Sequence, residues 1–168
     1  IIEKYCHNND INYCNTYGGL YDWDEMMDYV TTEGVQGICP PGWHIPTDLE
    51  WKVLEGVADS LYHIGDTIWD ISWARRGFDA AKNLKSVSGW WIGSHGTDLL
   101  GFSALPGGDR FHDGLFYLAG GFGLWWTSTQ YSKKYSWYRL FYYYYTNVYR
   151  NSDFRKQSAL SVRCLRDD

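Results

Sequence analysis

The stretch Tyr131–Phe154 reads YSKKYSWYRLFYYYYTNVYRNSDF and holds eight of the chain's fifteen tyrosines. From Trp137 onward the pattern repeats every second residue, as in a β-strand whose side chains alternate between two faces. The alternation predicts one face of Trp137, Arg139, Phe141 and Tyr143, and a second face of Tyr138, Leu140, Tyr142 and Tyr144.

Both predicted faces are aromatic, and this admits two interpretations. A solvent-facing surface of Tyr mixed with Ser, Asn and Arg is typical of recognition, since it offers large rigid contacts and versatile hydrogen bonding. Alternatively, the sheet is covered on both sides, because strands buried on both faces also read as unbroken apolar runs.

Length and composition favour one loop-rich α+β domain over residues 1–168, since 18 Gly accompany 7 Phe, 10 Trp and 15 Tyr. No apolar run approaches the roughly 20 residues needed to span a bilayer, so we expect no membrane insertion within this chain. The chain begins IIEKYC without a basic-then-apolar leader. We therefore expect a mature or trimmed fragment whose leader or anchor lies upstream.

The net charge of −5 is unevenly distributed. Residues 1–130 hold 7 Lys/Arg against 17 Asp/Glu, whereas residues 131–168 hold 8 against 3. A basic, tyrosine-rich end could bind nucleic acid. The acidic body and the lack of a basic stripe or nucleic-acid motif argue against that partner.

The four cysteines predict disulfides. The pairing we expect joins Cys6 to Cys14 locally and Cys39 to Cys164 over a long range, which would indicate an oxidising compartment. Four reduced, buried thiols are the alternative. No CxxC and no zinc-ligand spacing occurs.

Helix signals are few. Trp23, Met26, Met27 and Val30 recur at helical spacing after a turn-rich start and predict a short helix, and three prolines keep residues 37–46 extended. Thr47 and Glu50 form a capping box that opens the clearest helix. We expect its buried stripe to be Leu49, Val53, Leu54, Val57, Ala58 and Leu61.

A second helix is predicted within residues 67–84, buried through Trp73, Phe78, Ala81 and Leu84. From residue 85 to 124 the pattern indicates short strands and Gly-rich loops, with turns at PGGD and HDGL. Strands are expected from LWWTSTQ (124–130) to the end.

Catalytic signals are weak. Asp98, Asp109 and Asp113, with His95 and His112, could form a calcium or acid/base site, but turn chemistry explains these aspartates equally well. His44 is expected to be a satisfied core histidine, and Cys164 has no evident histidine partner. GxSxG, P-loop and HExxH motifs do not occur. The sequence predicts a non-enzyme without a cofactor.

Several phrases together resemble the Fibrobacter succinogenes major paralogous domain across residues 17–166. They are YGGLYDWDEMM, GICPPGWHIPTDLEW, the Leu84–Ser86 step before GWW, GTDLLGFSALPGGDR, DGLFYLAGG, LWWTSTQ and SVRCLRD. The resemblance implies a C-type-lectin-like fold of the formylglycine-generating-enzyme type, with two helices on twisted antiparallel sheets and with its first and last strands paired. It also implies an extracellular or cell-surface location, and it is consistent with a Cys39–Cys164 link.

The final third resembles variable regions diversified by retroelements, in which Asn codons of a template change at adenines. The ligand-binding residues reachable in this way are Tyr131, Tyr135, Tyr138, Leu140, Tyr142, Tyr144, Tyr145, Tyr149, Asn151, Ser152, Asp153 and Phe154. The fixed scaffold would be Trp137, Arg139, Phe141, Tyr143, Thr146, Val148 and Arg150. Lys133 and Lys134 are not reachable from such codons and are assigned to scaffold or rim.

Two departures bear on function. No closely spaced cysteine pair near the C-terminus matches the copper site of formylglycine-generating enzymes, and no EPN, QPD or WND motif matches calcium-dependent lectins. We therefore expect an adhesin or receptor-binding domain, bacterial or phage-borne, that recognises a protein or glycan on another surface. The alternative is a structural module whose aromatic face packs on a neighbouring domain.

Overall fold

The computed structural model of the chain describes residues 2–168 and combines helices with antiparallel sheets, which confirms the α+β class at that level. The α-helical segments are α1 (Ile11–Tyr17), α2 (Trp23–Met26), α3 (Asp48–Ala58) and α4 (Ala80–Leu84), with 3-10 turns at His7–Asn9 and Thr67–Asp70. The strands are β1 (Tyr21–Asp22), β2 (Trp43–His44), β3 (Ala74–Arg76), β4 (Asp109–Arg110), β5 (Phe116–Tyr117), β6 (Phe122–Gln130), β7 (Ser136–Tyr142), β8 (Val148–Asn151), β9 (Ala159–Leu160) and β10 (Leu165–Arg166). The family resemblance implies two helices, whereas residues 2–168 contain four α-helical segments. Helix α1 was not predicted.

The strands form three sheets. The central sheet has the order β3-β8-β7-β6, the second has the order β1-β9-β4-β5, and β10 pairs with β2. The implied pairing of the first and last strands is wrong, because β1 pairs with β9 and β10 pairs with β2. Between residues 2 and 168 no helix combines the length and apolar character needed to cross a bilayer.

Strand β7 is covered on both sides. Phe141 belongs to a core cluster with Trp51 and Trp125, whereas Tyr138 and Leu140 belong to a second cluster. The predicted alternation of faces is confirmed. At Tyr138 and Leu140, which are 2% and 5% exposed, the face expected to point outward is instead largely covered.

Helix α3 confirms the predicted start but buries a different face. Thr47 Oγ1 accepts the Glu50 amide while the Glu50 carboxylate accepts the Thr47 amide, which is the expected capping box. The expected apolar stripe is wrong, because most of its members are exposed: Leu49, Val53, Val57 and Leu61. Asp48, Trp51 and Glu55 face the interior instead.

A buried ion network explains why α3 turns its acidic side inward. Arg139 donates to Glu55 and, at 2.8 Å, to Asp48, and Arg150 donates twice to Asp48 at 2.8 and 2.7 Å. Arg76 donates to Glu55 from the other side. Burial alone would raise the pKa of Asp48, but its hydrogen bonds and its attraction to the two guanidinium groups hold that pKa below the usual range.

The helix predicted over residues 67–84 is wrong except at its end. The segment forms a 3-10 turn, strand β3 and only then α4. Gly77 has φ +76°, and a Cβ atom there would lie 2.6 Å from the ring of Trp69, so the chain must turn at this glycine. The Asp59 carboxylate accepts the amides of Phe78 and Ala80 and fixes the start of α4.

Both predicted disulfides are present, so the alternative of reduced thiols is wrong. Cys6 pairs with Cys14, which fastens α1 to the chain before it. Cys39 pairs with Cys164 across 125 residues and ties the proline-rich segment to the end of the chain. Such bonds are typical of proteins from oxidising compartments.

Candidate ligand-binding cavity

A cavity of about 390 Å³ is lined by the central sheet together with residues of the β4–β5 hairpin. This volume lies within the range of small-molecule sites, about 300–1,000 Å³. Its lining consists of Asp109, Phe111, Tyr117, Leu118, Phe122, Leu124, Tyr138, Leu140, Tyr142, Tyr149, Asn151, Asp153 and Phe154. We call it the aromatic cavity.

Cross-strand pairs build the floor of the aromatic cavity. Leu140 of β7 lies opposite Leu124 of β6 and Tyr149 of β8, and Tyr142 lies opposite Phe122. Directly opposed residues project their side chains on the same face of a sheet. The period-two pattern of β7 is therefore what assembles the floor.

Aromatic rings in edge-to-face contact line the cavity. Phe154 packs against Tyr138 with ring centroids 4.9 Å apart and against Phe111 at 5.4 Å. Tyr142 packs in the same way against Phe122 at 4.5 Å. Such contacts restrain the rings, so the cavity offers rigid apolar and π surface to a ligand.

Polar groups of the cavity wall are paired with tyrosine hydroxyls. The Tyr138 hydroxyl donates to Asp153 Oδ1 at 2.7 Å, and Asn151 Nδ2 donates to the Tyr149 hydroxyl at 3.2 Å. Burial, followed by the nearby Asp153 carboxylate, raises the pKa of Tyr138. The Tyr138 phenol therefore stays neutral and acts as a hydrogen-bonding group.

Asp109 supplies a buried carboxyl group. It lies on β4 opposite Tyr117 and is 4% exposed. Burial, with a smaller contribution from the Asp113 carboxylate, raises the pKa of Asp109 to about 7. The preceding Gly108 permits this arrangement, because a Cβ atom there would lie 2.3 Å from the Tyr117 carbonyl oxygen.

Seven of the twelve predicted ligand-binding residues line the aromatic cavity: Tyr138, Leu140, Tyr142, Tyr149, Asn151, Asp153 and Phe154. Tyr144 and Tyr145 lie in the turn after β7, with ring centroids 6.1 and 5.6 Å from that of Tyr142. They continue the aromatic surface beyond the cavity.

The remaining three predicted residues lie apart from the cavity. Tyr131 packs against Trp137, which projects from the opposite face of β7, at 5.2 Å between centroids. Tyr135 is half-buried and bridges the backbone of Arg155. Ser152 is buried, and its hydroxyl has no hydrogen-bond partner in the described chain.

The residues assigned to the fixed scaffold lie mainly under the sheet. Arg139, Phe141, Val148 and Arg150 are buried. Half-buried Trp137 has the Arg150 guanidinium 3.6 Å above its ring centroid. Two further members lie at the turn after β7, where Tyr143 packs on Trp91 and Thr146 donates to the Phe78 carbonyl oxygen. Lys133 and Lys134 are exposed in the β6–β7 turn, as assigned.

Lys85 fixes the turn after β7, a role that the sequence did not indicate. Its buried ammonium donates to the carbonyl oxygens of Tyr142, Tyr143 and Tyr145 and lies 4.7 Å from the centroid of the Trp90 ring. Burial lowers the pKa of Lys85 to about 8.

One wall of the cavity was missed in the sequence. Phe111, Tyr117 and Leu118 lie outside residues 131–154 and reach the cavity because β4 pairs with both β5 and β9. Only their apolar or aromatic character was visible, and such residues are also common in cores. The pairing that carries them to the site is long-range.

The candidate cation site does not assemble. Within residues 2–168 no three His, Cys, Asp or Glu side chains are grouped as metal ligands, so Asp98, Asp109, Asp113, His95 and His112 do not share one centre. Of these five, Asp109 lines the aromatic cavity.

Both ring nitrogens of His44 have hydrogen-bond partners, as expected, but the residue is half-buried in a surface contact and does not lie in the core. Its ring nitrogens lie 2.9 Å from Glu50 and 2.6 Å from Asp167. Burial lowers the pKa of His44, but the hydrogen bonds with these two carboxylates outweigh that effect and leave it raised. The side chain connects the start of α3 to the chain end.

The model of the Fibrobacter succinogenes major domain family matches residues 2–166. The match includes the 17–166 region that carries the resemblance and extends it to residue 2. No curated protein and no solved structure gives a significant match to the chain.

Proposed function

Since this chain belongs to the Fibrobacter succinogenes major domain family, we propose that it is a non-enzymatic binding domain that recognises partners through the aromatic cavity and the adjoining tyrosines. The observation that carries the proposal is the cavity itself. Residues 131–154 contribute seven of its lining side chains, and restrained Tyr and Phe rings alternate there with Asn and Asp. Such surfaces bind by burying rings and selecting through hydrogen bonds.

We propose further that the fold is C-type-lectin-like and that the domain works outside the cell or on a cell or phage surface. The two disulfides support an oxidising location. The partner is a protein or glycan on another surface. Nucleic acid is disfavoured because the cavity is lined by two aspartates and by no Lys or Arg.

Diversification by a retroelement is the third part of the proposal. Seven residues whose codons can arise from a template Asn codon line the cavity. The intervening Arg139, Phe141, Val148 and Arg150 are buried beneath it. Variation on this pattern would alter the ligand surface while the core beneath stays constant.

Sequencing the native locus tests diversification. We expect a near-copy of the codons for residues 125–168 that differs only at its adenines, beside a reverse-transcriptase gene. Sister isolates should then vary at the reachable codons and keep Arg139 and Phe141. An invariant gene without such a copy would refute diversification and leave the binding proposal to the experiment below.

A structural module that packs on a neighbouring domain is the second candidate. The observation that favours it is the burial of Tyr138 and Leu140, which already serve the core. Tyr138→Ser is therefore unsuitable for separating the two candidates, because removing this ring should cost about 3 kcal/mol of stability whatever the function.

The double variant Tyr142→Ser with Tyr149→Ser separates them, since both rings line the cavity and are only partly buried. If the cavity binds a partner, the labelled variant should keep its melting temperature within a few degrees and lose retention on cells of its native community. A fall in melting temperature or in assembly, with retention unchanged, would favour the structural module. Phe78→Ser, at an aromatic residue 57% exposed and outside the cavity, is the matched control and should change neither quantity.

A further inference from the structure

We propose that the aromatic cavity takes an organic cation, an ammonium or guanidinium group carried on an alkyl chain, with Asp109 as its counter-ion. This inference rests on the proposed binding function and deepens it by naming the chemical class of the ligand. Three observations support it.

The first observation is the state of Asp109. Asp109 is only 4% exposed, and it lines the cavity. The hydrogen bonds of residues 2–168 include none to its carboxylate, in contrast to the Asp48 and Asp59 carboxylates, which accept several each. A buried carboxyl group without a partner is costly. A ligand donor would remove that cost.

The second observation is the charge of the lining. The side chains around Asp109 are apolar, aromatic or acidic, with Asp153 as the second acid and with no Lys, Arg or His among them. Arg75 lies on the neighbouring strand, but its guanidinium is 3.8 Å from the centroid of the Tyr145 ring, outside the cavity lining. The cavity therefore lacks a cation of its own.

The third observation is the distribution of cation–π contacts. Nine rings elsewhere in the described chain hold a Lys or Arg within 6 Å of their centroids, among them Trp23, Trp137 and Tyr145. The cavity rings hold none, although several of them pack against one another. Grouped aromatic faces beside a carboxylate are the arrangement that proteins use to bind alkylammonium groups.

The raised pKa of Asp109 supports its role as the counter-ion and makes the expected cation affinity depend on pH. A cation favours the ionised carboxylate, so affinity should fall as the pH drops below about 7 and Asp109 becomes protonated. Other titratable groups line the cavity or influence Asp109, namely Asp113, Tyr117, Tyr138, Tyr142, Tyr149 and Asp153. Asp113 and Asp153 are exposed carboxylates, and burial raises the pKa values of Tyr138 and Tyr142.

The test is a titration of the intact domain, followed by NMR, with four probes. They are butylammonium, N-acetyl-lysine methylamide, N-acetyl-arginine methylamide and the neutral N-acetyl-norleucine methylamide. We expect at least one cation to shift cavity resonances and to bind about tenfold more tightly than the neutral probe. Asp109→Asn should remove that preference, whereas the exposed Asp66→Asn should not.

The arms of the experiment identify the source of the cation. Equal affinity for butylammonium and the lysine amide indicates a free amine, and tighter binding of a lysine or arginine amide indicates a protein side chain. If Asp109→Asn does not fold, the wild-type domain still decides, since cation affinity should drop about tenfold from pH 8 to pH 6.

Three results would overturn the assignment: no binding by any cation, equal binding of the norleucine amide, or no effect of either Asp109→Asn or pH. Equal binding of the neutral probe would leave the proposed binding function in place. That function fails separately, if the Tyr142 and Tyr149 double variant retains its partner.

Discussion

Glu55→Gln is expected to lower the free energy of unfolding by about 3–5 kcal/mol, because it removes one of two carboxylates that face three buried guanidinium groups. Arg76 and Arg139, 1% and 0% exposed, would then lie near each other without the anion between them. Glutamine has almost the same shape as glutamate, so the cost reports charge and not a cavity. In a domain of this size, the loss corresponds to roughly 10 °C or more in melting temperature.

Urea unfolding followed by tryptophan fluorescence measures this change. Glu33→Gln is the matched control, since Glu33 is exposed, and we expect its stability to stay within about 0.5 kcal/mol of wild type. Wild-type stability in Glu55→Gln would show that the three arginines do not need this carboxylate.

Removing the long-range disulfide is the second change with a large expected effect. In the chain-entropy model, a bond that closes 125 residues contributes about 5 kcal/mol, because it restricts the unfolded chain over most of its length. We therefore expect the double variant Cys39→Ala with Cys164→Ala to unfold at much lower denaturant concentration. Loosening of the pairing between β10 and β2 should accompany this loss, since Cys164 adjoins β10 and Cys39 precedes β2.

The local disulfide provides the comparison. Cys6 and Cys14 are separated by 8 residues, for which the same model gives about 2.5 kcal/mol. The double variant Cys6→Ala with Cys14→Ala should thus lose about half as much stability. Equal losses would mean that native contacts of each bond, and not loop length, set its contribution.

The sequence predicts local features of this fold well where the chemistry is local. The capping box at Thr47 and Glu50 needs only four consecutive residues, and the alternation of β7 needs only seven. The orientation of α3 is different. Leu49 and Val53 mark an apolar stripe, yet the opposite side is buried because Arg139 and Arg150 arrive there from strands far along the chain.

The candidate site likewise has one part that the sequence predicts and one part that it does not. Its floor follows from period two in residues 137–151, but the wall that contains Phe111 and Asp109 depends on the pairing of β4 with β5 and β9. A glycine pair before an aspartate predicts a turn and does not say what the turn approaches. The buried arginines gave one usable signal, since Arg139 between aromatic core positions requires an acid opposite it.

Lys85 has a consequence for which substitutions the turn after β7 can accept. Its ammonium binds backbone carbonyl oxygens of residues 142, 143 and 145, and every amino acid carries that oxygen. The loop conformation is thus anchored through atoms that a codon change leaves in place. We therefore expect substitutions of the Tyr144 and Tyr145 side chains to leave the backbone conformation of this turn unchanged.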